Sequence, residues 1–404
     1  MGTLRPARRD RAQRGGAPVS RQPAGAMPSG EAAPPAAAVA DAVLLVHALA
    51  HPETLQRLPL PRWELLLRQA RSAGLLARLA ARLLERGPLQ AVPAAPRAHL
   101  DAALLVAHAQ HEEIRREAAH LRRALAPLGL QPVLLKGAAY VAAGLPAAQG
   151  RLFSDTDILV PHARVGDVER QLTLHGWRMD PGLSAYDQHY YRQWMHELPP
   201  MTHQRRFTVV DVHHALLPRT ARQHPDTALL LAAACPSALE GVRVLAPADM
   251  VLHAMTHLLR NEEFSHGLRD LSDLDALLRR FGADAAFWPA LAARARELAL
   301  ARELHYGLRA AHGLLGTPVP ADALQAAAQA APGVALQALM DALWSRALRC
   351  PHPRTRLPFT GVALALLYLR AHWLRMPPGL LLRHAWVKTR LLWNKTDTQA
   401  PARP

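Results

Sequence analysis

Cysteine is nearly missing from this chain. Cys235 and Cys350 are far apart and neither belongs to a Cys-x-x-Cys pair, which excludes a disulfide framework or a cysteine-rich structural zinc site and fits a reducing cytoplasm. Aromatic residues make up only 5% of the sequence. With alanine, leucine and arginine dominant, helix is favoured over sheet for most of the length, and any sheet should be small. Long apolar runs are lacking too. The longest late stretch, Val362 to Leu369, stops at Arg370, well short of the ~20 residues a membrane span needs. A soluble protein without a transmembrane segment is expected. Residues 1–38 are rich in Arg, Pro, Gly, Ala and Ser and hold no apolar core for a secretory signal. They read as a disordered basic tail, with Met27 standing beside Met1 as an alternative start.

Half of the 404 residues are hydrophobic, enough for a large core divided into two or three subdomains. The formal charge of +16 sits at the ends: residues 1–26 hold six arginines against one aspartate, and residues 345–404 hold eleven Lys and Arg against Asp397. The remaining body is close to neutral and carries no broad footprint for a polyanion, so nucleic acid is not the expected partner. The basic C-terminal segment retains two readings. It packs on the body with an arginine-rich outer face, or it makes weak contact with an anionic membrane surface.

The most informative segment is Asp155-Thr156-Asp157, followed by the apolar run Ile158-Leu159-Val160 and stopped by Pro161. In a strand, residues i and i+2 share a face about 7 Å apart, so both carboxylates project together, as divalent metal requires. Upstream, Pro132-Val133-Leu134-Leu135 is a short strand that runs into Lys136-Gly137 and a small-residue helix. Strand, glycine and helix form a phosphate-holding arrangement, because glycine admits an anion close to the backbone and a new helix offers free N–H groups. Downstream, Phe207 to His213 is a third strand, with Asp211 and His213 on one face. Two carboxylates on one strand and a third on another suit two divalent ions that span a nucleoside triphosphate and an attacking hydroxyl.

Taken together, Leu135-Lys136-Gly137-Ala138, Arg151, Ser154 to Val160 and Val210 to His213 resemble the uncharacterised bacterial nucleotidyltransferase family of the polymerase-β-like superfamily. The resemblance covers roughly residues 40–390, with its strongest motifs between 132 and 214. It implies a predominantly helical α+β fold, a small mixed-sheet core flanked by helical subdomains. It further implies that Asp155, Asp157 and Asp211 ligate Mg²⁺ or Mn²⁺, that Asp211 helps deprotonate an acceptor hydroxyl, and that Lys136, Gly137, Arg151 and Ser154 bind the nucleotide. A Gly-Ser or Gly-Gly pair is common in this turn of the superfamily. Here Gly137 is followed by alanine, so the serine contact is missing and Lys136 is the candidate replacement charge. Each cation keeps a second reading, Lys136 as a strand-end lysine and Arg151 as a counter-ion to Asp155 or Asp157. His257 and Asp273 match a His and an Asp of the family that orient substrate or brace the site. His213 and His214 are expected to pack and hydrogen-bond, since Mg²⁺ prefers oxygen.

Apolar spacing of three and four predicts helices over Val39–Ala50, Arg62–Arg86 and His99–Ala126, an N-terminal helical subdomain over 39–130. The nucleotidyltransferase core is expected over 131–246, a C-terminal helical subdomain over 247–395 and a frayed tail from 396 to 404. Between the second and third carboxylates lies a loop-rich stretch holding Tyr186, Tyr190, Tyr191 and Trp194, read as packing or as the lining of an acceptor pocket. Asp249, His253 and His257 recur every four residues on one later helix, read as a hydrogen-bonded row rather than a zinc site. The expected reaction transfers NMP from an NTP to a hydroxyl of a small molecule, peptide or protein and expels pyrophosphate. Two alternatives stand beside it: a catalytically inactive nucleotide-binding or scaffolding protein of the same fold, and an RNA-modifying transferase gripping RNA through the basic C-terminus.

Overall fold

The computed structural model describes residues 35–86 and 88–398. The expected tails before residue 35 and beyond Thr398 lie outside the described residues. Ala36–Ala38 already forms a 3₁₀ turn with Ala36 fully buried, so the body starts slightly earlier than the boundary expected at 39. Four helices come first: α1 Leu44–Ala50, α2 Leu60–Ser72, α3 Leu76–Glu85 and α4 Ala94–Leu125. The single helix expected over 62–86 is two, α2 and α3. Gly74 separates them with φ of +66°, a left-handed conformation that ends a helix and that glycine adopts without a Cβ penalty.

Among the described residues, the seven strands lie between residues 133 and 244: β1 Val133–Leu134, β2 Thr156–Leu159, β3 Trp177–Met179, β4 Met201–His203, β5 Val209–His213, β6 Cys235–Pro236 and β7 Arg243–Val244. They form one mixed sheet in the order β3-β4-β5-β2-β1-β7-β6. Between them run α5 Lys136–Ala142, α6 Val165–Leu174, α7 Ala185–His189 and α8 Thr227–Ala233. The central strand β2 is buried along its whole length, which accounts for its continuous apolar run after the aspartates. It pairs in parallel with β5 and antiparallel with β1. The loop-rich stretch expected before Asp211 is more ordered than its sequence suggested: α7 continues into a π-helical turn, Tyr190–Trp194, and β3 and β4 extend the sheet beyond β5.

After β7 the chain is helical: α9 Pro247–Arg260, α10 Gly267–Phe281, α11 Phe287–Glu297, α12 Ala301–Leu315, α13 Ala321–Ala328, α14 Val334–Ala347, α15 Thr360–Arg375 and α16 Pro378–Thr398. The fold is thus α+β and predominantly helical. One hydrophobic core runs from α4 through the sheet into α9–α15, and a second gathers α1–α3 and the start of α4. Among the described residues, no helix is long and apolar enough to cross a membrane.

Candidate active site

The parallel ladder between β2 and β5 pairs Asp157 with Asp211. Laddered residues project to the same face of a sheet, so these two carboxylates stand side by side, and Asp155 precedes them on the same strand line. The reach of the third carboxylate is therefore set by strand register. Lys136, the first residue of α5, leaves β1 with φ of +46°, and its Nζ donates to Asp157 Oδ1 at 2.7 Å. His213 Nε2 meets the same oxygen at 2.9 Å. Glu197 joins from an isolated antiparallel bridge opposite His213, with its Oε2 3.3 Å from His213 Nε2.

Burial opposes the charge on Asp157, but Lys136 and His213 outweigh it and hold that carboxyl well below the ordinary range. For Lys136, burial is likewise outweighed by Asp157, which keeps the ammonium charged. Asp211 behaves in the opposite way. Burial first, then the negative charges of Asp157, Glu197 and Asp155, push it up to about 7, and its Oδ1 is buried without a hydrogen-bond partner. Burial and Asp157 also raise Asp155, with Lys136, Arg151 and a hydrogen bond from Ser154 pulling the other way. A crowded set of carboxylates with an unpartnered buried oxygen fits a hard divalent cation, which binds through oxygen.

The remaining sequence candidates fall in two groups. Lys136, Asp211, His213 and His257 line one cleft of about 680 Å³, together with His253, Tyr190 and Tyr191. Burial, then Lys136, pushes His257 down to about 3, so it is neutral at pH 7. Arg151, Gly137 and Asp273 form a buried brace instead. Arg151 Nε donates to Asp273 at 2.6 Å, and Asp273 also receives Arg78 of α3 at 2.6 Å. The counter-ion of Arg151 is therefore Asp273, where the sequence pointed to Asp155 or Asp157. The Arg151 guanidinium also lies 5.2 Å from the Phe153 ring centre, and a Cβ on Gly137 would collide with both side chains. Gly137 is small because Arg151 packs against it. Of the predicted histidine and aspartate row on α9, Asp249 turns to Arg294 at 2.6 Å, whereas His253 and His257 face the cleft.

Sequence reasoning missed Glu197 and His196. Both sit ahead of Pro199-Pro200 in a segment without periodicity, and only pairing with β5 brings them to the carboxylates. His384 of α16 was missed as well: its Nδ1 meets the Tyr186 hydroxyl at 2.8 Å, and its ring stacks on Tyr190 at 4.9 Å. A histidine in a basic helix almost 200 residues downstream carries no local signal of such a role.

No curated protein and no solved structure matches the chain. A family model described as uncharacterised nucleotidyltransferase matches residues 59–316. That span holds every strand of the described residues and every residue of the carboxylate cluster. The chain belongs to the uncharacterised nucleotidyltransferase family.

Proposed function

We propose that this protein transfers NMP from a nucleoside triphosphate to a hydroxyl of a small-molecule, peptide or protein acceptor and releases pyrophosphate. The observation that carries this reading is the in-register pairing of Asp157 with Asp211 on parallel strands, with an unpartnered Asp211 oxygen beside them. Asp155, Asp157 and Asp211 would hold Mg²⁺ or Mn²⁺, which supplies charge neutralisation for the triphosphate and acidifies the acceptor hydroxyl. Asp211, the carboxylate of β5 that lines the cleft, takes the hydroxyl proton, because a base must lie within reach of the proton it removes. The acceptor oxygen then bonds to the α-phosphorus, and the bond from that phosphorus to the bridging oxygen of pyrophosphate breaks. Lys136 bonds Asp157 in this structure and faces the cleft, so it is placed to exchange that carboxylate for a phosphate oxygen. Arg151, Gly137 and Asp273 position the loop into β2. The cleft beside Tyr190, Tyr191 and His384 is the acceptor side.

A second reading has one observation in its favour: Lys136 and His213 already neutralise Asp157, as a binding or scaffolding protein without turnover would have it. The two readings separate when purified chain is incubated with each labelled NTP, Mg²⁺ or Mn²⁺ and a metabolite extract. Pyrophosphate release that vanishes in Asp155→Ala and Asp157→Ala is the transferase result. Cation-dependent triphosphate binding without pyrophosphate release is the scaffold result.

A further inference from the structure

We infer that His196, Glu197 and His213 form a second divalent-cation site, distinct in chemistry from the aspartate cluster and selective for an ion that accepts imidazole nitrogen, such as Zn²⁺. One ligand atom from each residue lies within 4.8 Å of the other two. Glu197 Oε2 is 3.3 Å from His213 Nε2 and 3.9 Å from His196 Nε2. Donors bound at ~2.0–2.1 Å around a tetrahedral ion sit ~3.3 Å apart, so the first pair is already at that spacing and the second needs only a small movement.

The frame is rigid. Glu197 and His213 oppose each other across an antiparallel bridge. The backbone N–H of Leu198 donates to Val212 at 2.9 Å, and that of His214 to His196 at 2.8 Å. Two features are left over by the hydrogen bonding within the site. His213 Nε2 carries at most one hydrogen, and the 2.9 Å bond to Asp157 uses it. The Glu197 oxygen faces the same nitrogen at 3.3 Å and at best shares that single hydrogen with Asp157. His196 turns Nε2 toward the same Glu197 oxygen at 3.9 Å, and its other ring nitrogen, Nδ1, is buried without a partner. All three residues line the cleft, which is the entry path. Mixed nitrogen and oxygen donors with room for a further ligand suit Zn²⁺ or Co²⁺, whereas the neighbouring oxygen-only aspartates suit Mg²⁺. Binding exchanges the Nε2 proton of His213 for the ion, so the His213 to Asp157 hydrogen bond opens when this site fills.

The test uses the full chain, stripped of metal and titrated with Co²⁺ alone by visible absorption and with Zn²⁺ alone by calorimetry. The ligand-field band of a nitrogen-ligated ion is expected in the wild type and in the Asp155→Asn/Asp211→Asn double variant. Glu197→Gln and His196→Ala should each weaken that binding by about 100-fold, with metal-free thermal unfolding checking that they fold. In the wild type, which needs no substitution, Zn²⁺ should also shift the side-chain nitrogen resonances of two histidines. Unchanged affinity in Glu197→Gln and His196→Ala would overturn the site, as would loss of the band in the double aspartate variant or unshifted histidine nitrogens. Failure of the transferase reading shows elsewhere, as pyrophosphate release that survives Asp155→Ala.

Discussion

Asp157 and Asp211 are the same residue type, adjacent in one ladder, yet their surroundings push them in opposite directions. Lys136 and His213 hold Asp157 below its ordinary value of 3.8, while burial and three nearby carboxylates lift Asp211 to about 7. For Asp157 the folded state prefers the charged form. Its contribution is present above pH 3.8 and disappears as pH falls below that value. Asp157→Asn leaves Lys136 and His213 without their anion and should destabilise the fold by about 3 kcal/mol, measured by urea unfolding at pH 7. For Asp211 the sign reverses, because the folded state prefers the neutral form. Stability is lost as pH rises from 3.8 to about 7. Asp211→Asn should therefore stabilise the metal-free protein by about 2 kcal/mol at pH 8, with a smaller gain at pH 5, while abolishing pyrophosphate release. Equal melting temperatures for wild type and variant at pH 8 would contradict this assignment.

At the scale of elements, the segment between α5 and β2 decides whether the aspartates point correctly. Gly150 has φ of +62° and sits against the backbone of Ala77, where a Cβ would collide with the carbonyl. Gly150→Ala should lose at least about 1–2 kcal/mol from the left-handed backbone alone. Thermal unfolding would show this loss, and reduced pyrophosphate release should accompany it, because the loop carries Arg151 and Asp155. Asp273 of α10 ties that loop to α3 through Arg151 and Arg78. Asp273→Ala leaves two buried guanidinium groups unpaired and should cost about 3–5 kcal/mol in unfolding free energy. The strand pattern, the turn at Lys136-Gly137 and the helical character of the ends were legible as periodicity and composition. Strands β3, β4 and β6 were not: Trp177-Arg178-Met179, Met201-Thr202-His203 and Cys235-Pro236 form no apolar or β-branched run, and pairing with neighbours stabilises them.

Across the whole molecule, the cleft is built from two parts of the chain. The sheet, the start of α5 and α9 supply Lys136, Asp211, His213, His253 and His257, while α15 and α16 supply His372, Arg375 and His384. The first set falls inside the family match at 59–316, and the second lies beyond it. On the proposed reaction, acceptor choice would belong to the C-terminal helices and triphosphate chemistry to the sheet and the start of α5. His384→Ala removes the hydrogen bond to Tyr186 and the ring contacts with Tyr186, Tyr190 and Trp194, and should raise the acceptor KM by about tenfold with kcat little changed. Steady-state kinetics with the identified acceptor checks this split, and an unchanged KM would remove His384 from acceptor binding. The basic C-terminal segment, read from composition as an outer face or a membrane contact, contributes a wall to the cleft as well.

Local sequence by itself determined the aspartate pair, the strand that carries it, the turn at Gly137 and a helical body around a small sheet, because those rest on side-chain alternation, turn chemistry and propensity over a few residues. Tertiary structure alone decided that Asp157 sits beside Asp211, that Arg151 belongs to Asp273, and that His196, Glu197 and His384 meet at the same cleft. Those outcomes depend on strand register and on contacts between segments up to 200 residues apart. No periodicity within a single segment records them.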